Sequence, residues 1–190
     1  NQSVGARRGI LVHRHPSGID HHLADVPEGG GIVAVDRWAI PLALEGRDIV
    51  GVAQTGTGKT GAFMIPALEK VESGKGLQVL VLCPTRELAQ QVADDTEALA
   101  KGTAIRVDFI VGGVAYGPQE KALSDGYEII VATPGRFIDH MGKRRVDLSN
   151  LKMLILDEAT SSVDTETELL IQQALHGQPA CNLGTQRGRA

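Results

Sequence analysis

Aromatic side chains are scarce: three Phe, two Tyr and one Trp make up 3% of 190 residues. The core must therefore be aliphatic, and the scarcity argues against a base-stacking platform of the RRM or OB type. Positive charge is not in excess. Nineteen Lys and Arg stand against 23 Asp and Glu, for a net charge of −4. No global field draws the chain to nucleic acid or an acidic membrane, so any nucleic-acid contact has to come from a local patch. No apolar run approaches the roughly 18 residues of a transmembrane helix, and no charged-then-apolar leader is seen. The two cysteines, Cys83 and Cys181, lie far apart and are expected to be reduced thiols of a cytoplasmic protein. The length suits one α/β domain with appendages, large enough for a core without disulfide or metal staples.

What is present falls into three zones. Residues 1–36 are rich in Gly and His and read as an atypical loop-rich segment, with Gly9-Ile10-Leu11-Val12-His13 as the one strand-like run. Residues 37–175 alternate between apolar strands and helices. Strands are expected at 48–52, 77–82, 106–111, 128–132 and 151–156, and helices at 59–71, 86–101, 118–123 and 165–175, with another starting at 136. Continuous apolar strands between helices argue a mainly parallel sheet covered on both faces. Residues 176–190 form a polar tail.

The strongest motif is Ala53-Gln54-Thr55-Gly56-Thr57-Gly58-Lys59-Thr60, between a strand and a helix. The glycines let backbone N–H groups approach phosphate, and the helix N-terminus adds donors and partial positive charge. Lys59 is the candidate cation for the β- and γ-phosphates, and the Thr60 hydroxyl the candidate Mg²⁺ ligand. Asp157-Glu158 ends a later apolar strand. Asp157 suits Mg²⁺ and Glu158 suits the polarisation of an attacking water. Both features belong at the carboxyl ends of parallel strands, where such sites are built.

Four further stretches, RWAIPLALEGRDIVGVAQTGTGKTGAF (37–63), PTRELAQQV (84–92), Gly112-Gly113 and TPGR (133–136), make residues 37–158 resemble the first RecA-like domain of DEAD-box RNA helicases. The resemblance implies a P-loop NTPase fold, a RecA-like three-layer sandwich. It also implies ATP with Mg²⁺ as ligands. Gln54, Thr55, Gly56, Thr57, Gly58, Lys59 and Thr60 would bind nucleotide, and Lys59, Asp157 and Glu158 would serve catalysis. Pro84, Thr85, Arg86, Gly113, Thr133, Pro134, Gly135 and Arg136 would face the backbone of single-stranded RNA, holding phosphates without reading bases.

Four departures from that family's pattern shape the expectation. Asp36 stands where an adenine-selecting Gln belongs, and a carboxylate cannot supply an amide's paired donor and acceptor. Thr160 replaces the last Asp of the acidic motif. The continuation LDEATSSVDTETELLIQQAL (156–175) resembles instead the Walker B strand and D-loop of ABC-transporter ATPase subunits, yet residues 140–152 hold no LSGGQ-type segment. No Ser-Ala-Thr strand follows, which leaves a gap in the sheet between the phosphate-loop strand and the acidic strand. The tail 178–185 or segment 9–13 can fill that slot, or the acidic strand can pair directly with strand 49–52; direct pairing is the expectation. Last, a second RecA-like domain, source of the family's arginine finger, is absent. The chain is therefore expected to bind nucleotide, to hydrolyse it slowly and not to unwind duplexes alone. Two other readings stand beside this one: an engineered, recombined or truncated nucleotide-binding fold without turnover, and an ABC-type ATPase fragment.

Weaker signals read as surface. His13, His15, His21 and His22 have the residue types for Zn²⁺ or Ni²⁺, but no Cys or helical spacing supports a site. Lys143-Arg144-Arg145 fits RNA phosphate or a solvated face.

Overall fold

In the computed structural model, residues 8–14, 22–23, 33–47, 49–53 and 59–157 are described. In chain order the elements are β1 (Arg8–Arg14), β2 (His22–Leu23), α1 (Val33–Leu44), β3 (Ile49–Ala53), α2 (Lys59–Lys70), β4 (Val79–Leu82) and α3 (Arg86–Ala100). They continue with β5 (Val107–Ile110), α4 (Tyr116–Ser124), β6 (Ile129–Ala132), α5 (Pro134–Gly142) and β7 (Met153–Asp157). The helix expected at 165–175 and the tail lie outside the described residues.

Every residue of β4, β6 and β7 is buried. These strands have no solvent face, which is why their sequences are unbroken apolar runs rather than alternations. Alternate residues serve two cores. Val79, Val81, Ile129, Val131, Met153 and Ile155 pack with Phe63, Met64 and Ala67 of α2 and Ala89, Val92 and Ala93 of α3. Leu80, Leu82, Ile130, Ala132, Leu154 and Leu156 pack with Phe137 of α5 on the other side, together with Leu123 of α4. The result is a three-layer α/β sandwich, and its aliphatic core matches the scarcity of aromatics.

The sheet has seven strands among the described residues, in the order β2-β3-β1-β7-β4-β6-β5. The strands β7, β4, β6 and β5 are mutually parallel. The expected direct pairing of the acidic strand with strand 49–52 is overturned. β1 lies between them, antiparallel to both. Segment 9–13 fills the slot because β3 and β7 each leave an open hydrogen-bonding side, and one short apolar strand satisfies both. The sheet is thus mainly parallel, with one antiparallel strand at its centre. Because β1 reverses direction twice over, β3 and β7 still point the same way. Ile10 pairs with Gly51 on one side and Asp157 on the other, so β7 ends at Asp157 two residues short of the level of Ala53, where β3 ends.

Local chemistry sets the helix starts. Thr85 has extended backbone (φ −123°, ψ 159°), and its side chain accepts a hydrogen bond from the Leu88 N–H at 3.2 Å, an N-cap for α3. Pro134 opens α5 at a position where a missing N–H costs nothing. At the far end of α5, the Arg144 N–H donates to the Met141 carbonyl and the Arg145 N–H to the His140 carbonyl. That pattern requires a left-handed residue, and Arg144 takes it at φ 56° where glycine is usual.

Candidate functional site

The carboxyl edge of the sheet gathers most of the residues singled out by the sequence. α2 begins at Lys59, directly after the phosphate-loop residues. Its first-turn N–H groups have no intrahelical partners. The Lys59 Nζ is buried and has no hydrogen-bond partner among the described residues. Thr60, beside it, is half-buried. Asp157 closes β7 and is 5% exposed. Gln54, Thr55, Gly56, Thr57, Gly58 and Glu158 lie outside the described residues. An ammonium held out of water without an acceptor is costly. A cation so placed suits a site shaped to bind an anion. Hydroxyl and carboxylate oxygens, from Thr60 and Asp157, are the hard donors Mg²⁺ takes. The residues present therefore fit Mg-ATP.

The second half of the edge is a cluster around the loop between β5 and α4. Gly113 has φ +78°, and a Cβ on it would lie 2.1 Å from Nη1 of Arg86. Arg136 donates from Nη1 to the Val114 carbonyl at 3.1 Å. The guanidinium of Arg136 also lies 4.0 Å from the Tyr116 ring centroid. The structure thus brings Arg86, Gly113 and Arg136 together around one loop. Thr85 and Gly135 are exposed, Pro84 and Thr133 half-buried, and Pro134 buried. The Thr85 hydroxyl is occupied as an N-cap, and the Thr133 N–H donates to the Ile110 carbonyl at 3.0 Å. Gly135 lies in the first turn of α5, where N–H groups have no intrahelical partner.

Sequence reading missed the support behind this cluster. The Tyr116 hydroxyl donates to Asp139 Oδ2 at 3.1 Å, and Lys143 Nζ lies 3.7 Å from the Tyr116 ring centroid. His140 is fully buried, its ring centroid 5.3 Å from that of Tyr116, and its Nε2 is 3.3 Å from Gln119 Oε1. Gln119 Nε2 in turn donates to the Val111 carbonyl at 2.9 Å. Burial holds His140 below its ordinary pKa, and the charges of Arg136 and Arg145 push the same way. The one available signal was that Tyr116 is one of only two tyrosines. Of the basic run, Lys143 lies over Tyr116 and Arg145 pairs with Glu120, while Arg144 is the exposed left-handed residue.

His13 and His22 lie in β1 and β2, with β3 between them. His15 and His21 are outside the described residues, and no group of three metal-binding side chains forms among the described ones. None of the described helices is long and apolar enough to cross a membrane.

Fold and site together define a P-loop nucleotide-binding α/β domain of the RecA-like type. The sequence profile of the DEAD/DEAH box helicase family matches residues 34–179. The human protein described as "Probable ATP-dependent RNA helicase DDX23" is 38% identical over 179 residues, covering 87% of this chain and 22% of its own length. Among solved structures, a DEAD box protein from the hyperthermophile Methanococcus jannaschii aligns with TM-score 0.57 and 40% identity, over 62% of this chain and 32% of that one. A hypothetical ATP-dependent RNA helicase from Sulfolobus tokodaii aligns with TM-score 0.53 and 38% identity, over 62% of this chain and 34% of that one. The chain belongs to the DEAD/DEAH box helicase family and spans about a fifth to a third of the length of these relatives.

Proposed function

We propose that this chain is an ATP-binding helicase core that takes Mg-ATP at the edge formed by β3 and β7 and the backbone of single-stranded RNA along the loops after β4, β5 and β6. One observation carries the reading: the buried Lys59 Nζ without a partner among the described residues. Lys59 would neutralise the β- and γ-phosphates, with Thr60 and Asp157 as the oxygen ligands of the metal. Bound Mg²⁺ would supply charge neutralisation to the phosphates. Glu158 would orient the attacking water and take its proton, while the bond to the leaving ADP breaks with its electron pair on the ADP oxygen. RNA would be held by Arg86, by Arg136 and by the Gly135 N–H, contacts to phosphate that carry no base identity. Hydrolysis by this chain alone would be slow, and duplex unwinding would need a second RecA-like domain.

A second reading, nucleotide binding without turnover, is favoured by the antiparallel β1 at the sheet centre, where the family resemblance leads one to expect a strand following the acidic motif. One assay separates the two. Nucleotide binding and turnover are measured with and without single-stranded RNA. RNA-stimulated turnover that is lost in Glu158→Gln supports the first. Binding with no turnover, unchanged in Glu158→Gln, supports the second. Wild-type nucleotide affinity in Lys59→Ala would refute both.

A further inference from the structure

One tyrosine engages a whole side of α5. Arg136, Asp139, His140 and Lys143 follow the i, i+3, i+4, i+7 spacing and so share one side of that helix and its cap. Each of the four meets Tyr116, the first residue of α4. The Arg136 guanidinium carbon lies 4.0 Å from the ring centroid, and Lys143 Nζ lies 3.7 Å from it. The hydroxyl donates to Asp139 Oδ2 at 3.1 Å, and the ring of the buried His140 lies 5.3 Å away, centroid to centroid.

The arrangement holds two cations side by side. Arg136 and Lys143 stand two helical turns apart, about 10 Å along the axis. One ring nevertheless brings their charged ends no farther apart than those two centroid distances laid end to end. Neighbouring phosphates of a single strand have a similar separation. Like charges so placed repel, and the negative face of the ring offsets only part of that. Neither cation forms an ion pair among the described residues. Asp139 accepts from the Tyr116 hydroxyl, and Glu120 pairs with Arg145. Lys143 is exposed. Arg136 donates from Nη1 to the Val114 carbonyl, which leaves its remaining N–H donors for an anion.

We propose that Tyr116 is a positioning residue that sets Arg136 and Lys143 as a paired grip on adjacent phosphates of single-stranded RNA, so that the backbone path runs past the end of β6 and on along α5. This rests on the RNA reading of the loops after β4, β5 and β6. It also divides the basic run 143–145. Lys143 contacts RNA, Arg145 stays with Glu120, and Arg144 takes the left-handed turn. The planar guanidinium fixes the orientation of one phosphate through parallel hydrogen bonds, and the ammonium adds a point charge at the next. Neither touches a base, so the grip is indifferent to sequence.

The test is the salt dependence of RNA binding by the full chain. Affinity for a single-stranded uridine oligonucleotide is measured between about 50 and 200 mM salt, with thermal melts of each variant. Each phosphate contact contributes about 0.7 to the slope of log affinity against log salt, and so about fivefold in affinity near 0.1 M. Lys143→Gln is expected to lose that much slope and Lys143→Arg to keep it. Arg145→Gln removes an equal charge from the same run and is expected to leave the slope as in wild type. Tyr116→Phe keeps the ring and is expected to bind as wild type does, whereas Tyr116→Leu is expected to lose at least as much slope as Lys143→Gln. An unchanged slope in Lys143→Gln overturns the proposal. So does a loss in Arg145→Gln as large as that in Lys143→Gln, since that marks diffuse charge rather than a contact. A wild-type slope in Tyr116→Leu, or a loss in Tyr116→Phe equal to that in Lys143→Gln, overturns the role of the ring. Wild type that does not bind the strand at any of these salt concentrations overturns the RNA reading itself, a different result from a wild type that binds it with Lys143 irrelevant.

Discussion

Arg86 lies so close against Gly113 that a Cβ on the glycine would meet its Nη1 at 2.1 Å. Arg136 reaches the next residue, donating to the Val114 carbonyl at 3.1 Å. Two arginines from two different strand ends thus hold one loop. Each was expected from sequence to serve RNA directly; each also shapes the other's surroundings through the loop between them.

Gly113→Ala separates stability from RNA binding. The φ of +78° makes an L side chain strained, at a cost of about 1–3 kcal/mol. The clash itself is cheap, because the opposing atom is the end of an exposed, flexible Arg86. The guanidinium is expected to swing away and RNA affinity to fall about tenfold. Thermal melts and single-stranded RNA titrations read the two effects. A variant that binds RNA as well as wild type would show that Arg86 is not an RNA contact in its wild-type position.

Lys59→Met should move stability and function in opposite directions. It removes a buried ammonium that has no partner among the described residues, and a cation at a helix N-terminus, where the dipole opposes it. The unliganded protein is expected to gain about 1–2 kcal/mol, while ATP ceases to raise the melting temperature. Melts with and without Mg-ATP check both halves. A loss of stability without ligand would contradict the account of Lys59 as a buried charge without a partner among the described residues.

Glu128 is fully buried next to a partly exposed Arg106. Its carboxylate accepts from the Gly74 N–H at 2.8 Å, the Arg106 N–H at 2.9 Å and the Arg106 guanidinium. Burial alone would raise its pKa, but Arg106 and these two amides together hold it below the usual value. A folded pKa below the unfolded one means stability present above the unfolded value and lost as pH falls beneath it, here below about 4.3. The difference in melting temperature between wild type and Glu128→Gln should therefore shrink as pH drops from 5 toward 3, by rough reference to that value. A constant difference would exclude the linkage.

His140 gives a second, higher window. Burial first, then Arg136 and Arg145, lowers its pKa, so the folded state favours the neutral ring. The unfolded chain then binds the proton more readily, and stability is expected to begin falling below about pH 6.5. His140→Gln should flatten the slope between about pH 6.5 and 5. An unchanged slope would show that His140 does not drive that part of the profile.

Much of the edge was legible because its residues are consecutive. Lys59, Thr60 and Asp157 follow apolar strands, and a strand end plus a helix start fixes their place. The buried strands β4, β6 and β7 were legible for the same local reason. Element ends were less so: α4 starts at Tyr116, ahead of the expected 118, because a proline in a first turn breaks no hydrogen bond. Strand order was not legible at all. Nothing in Gly9-Ile10-Leu11-Val12-His13 says which neighbours it will take, since pairing is decided by which hydrogen-bonding edges other segments leave open. The contacts of Arg136 with Tyr116 and of His140 with Gln119 join separate elements, and no spacing rule in the sequence encodes them.

The antiparallel central strand has a consequence for assembly. Its partners β3 and β7 are far apart in sequence, and they do not pair with each other. Until β1 docks, each presents a row of unpaired amides and carbonyls along an apolar strand, the kind of margin that recruits strands from other molecules. The sheet without β1 is two sheets with facing seams, and closing the seam takes pairings far apart in sequence. The colloidal behaviour of the chain during refolding thus hangs on seven residues that precede its phosphate loop and belong to none of the motifs that mark its family.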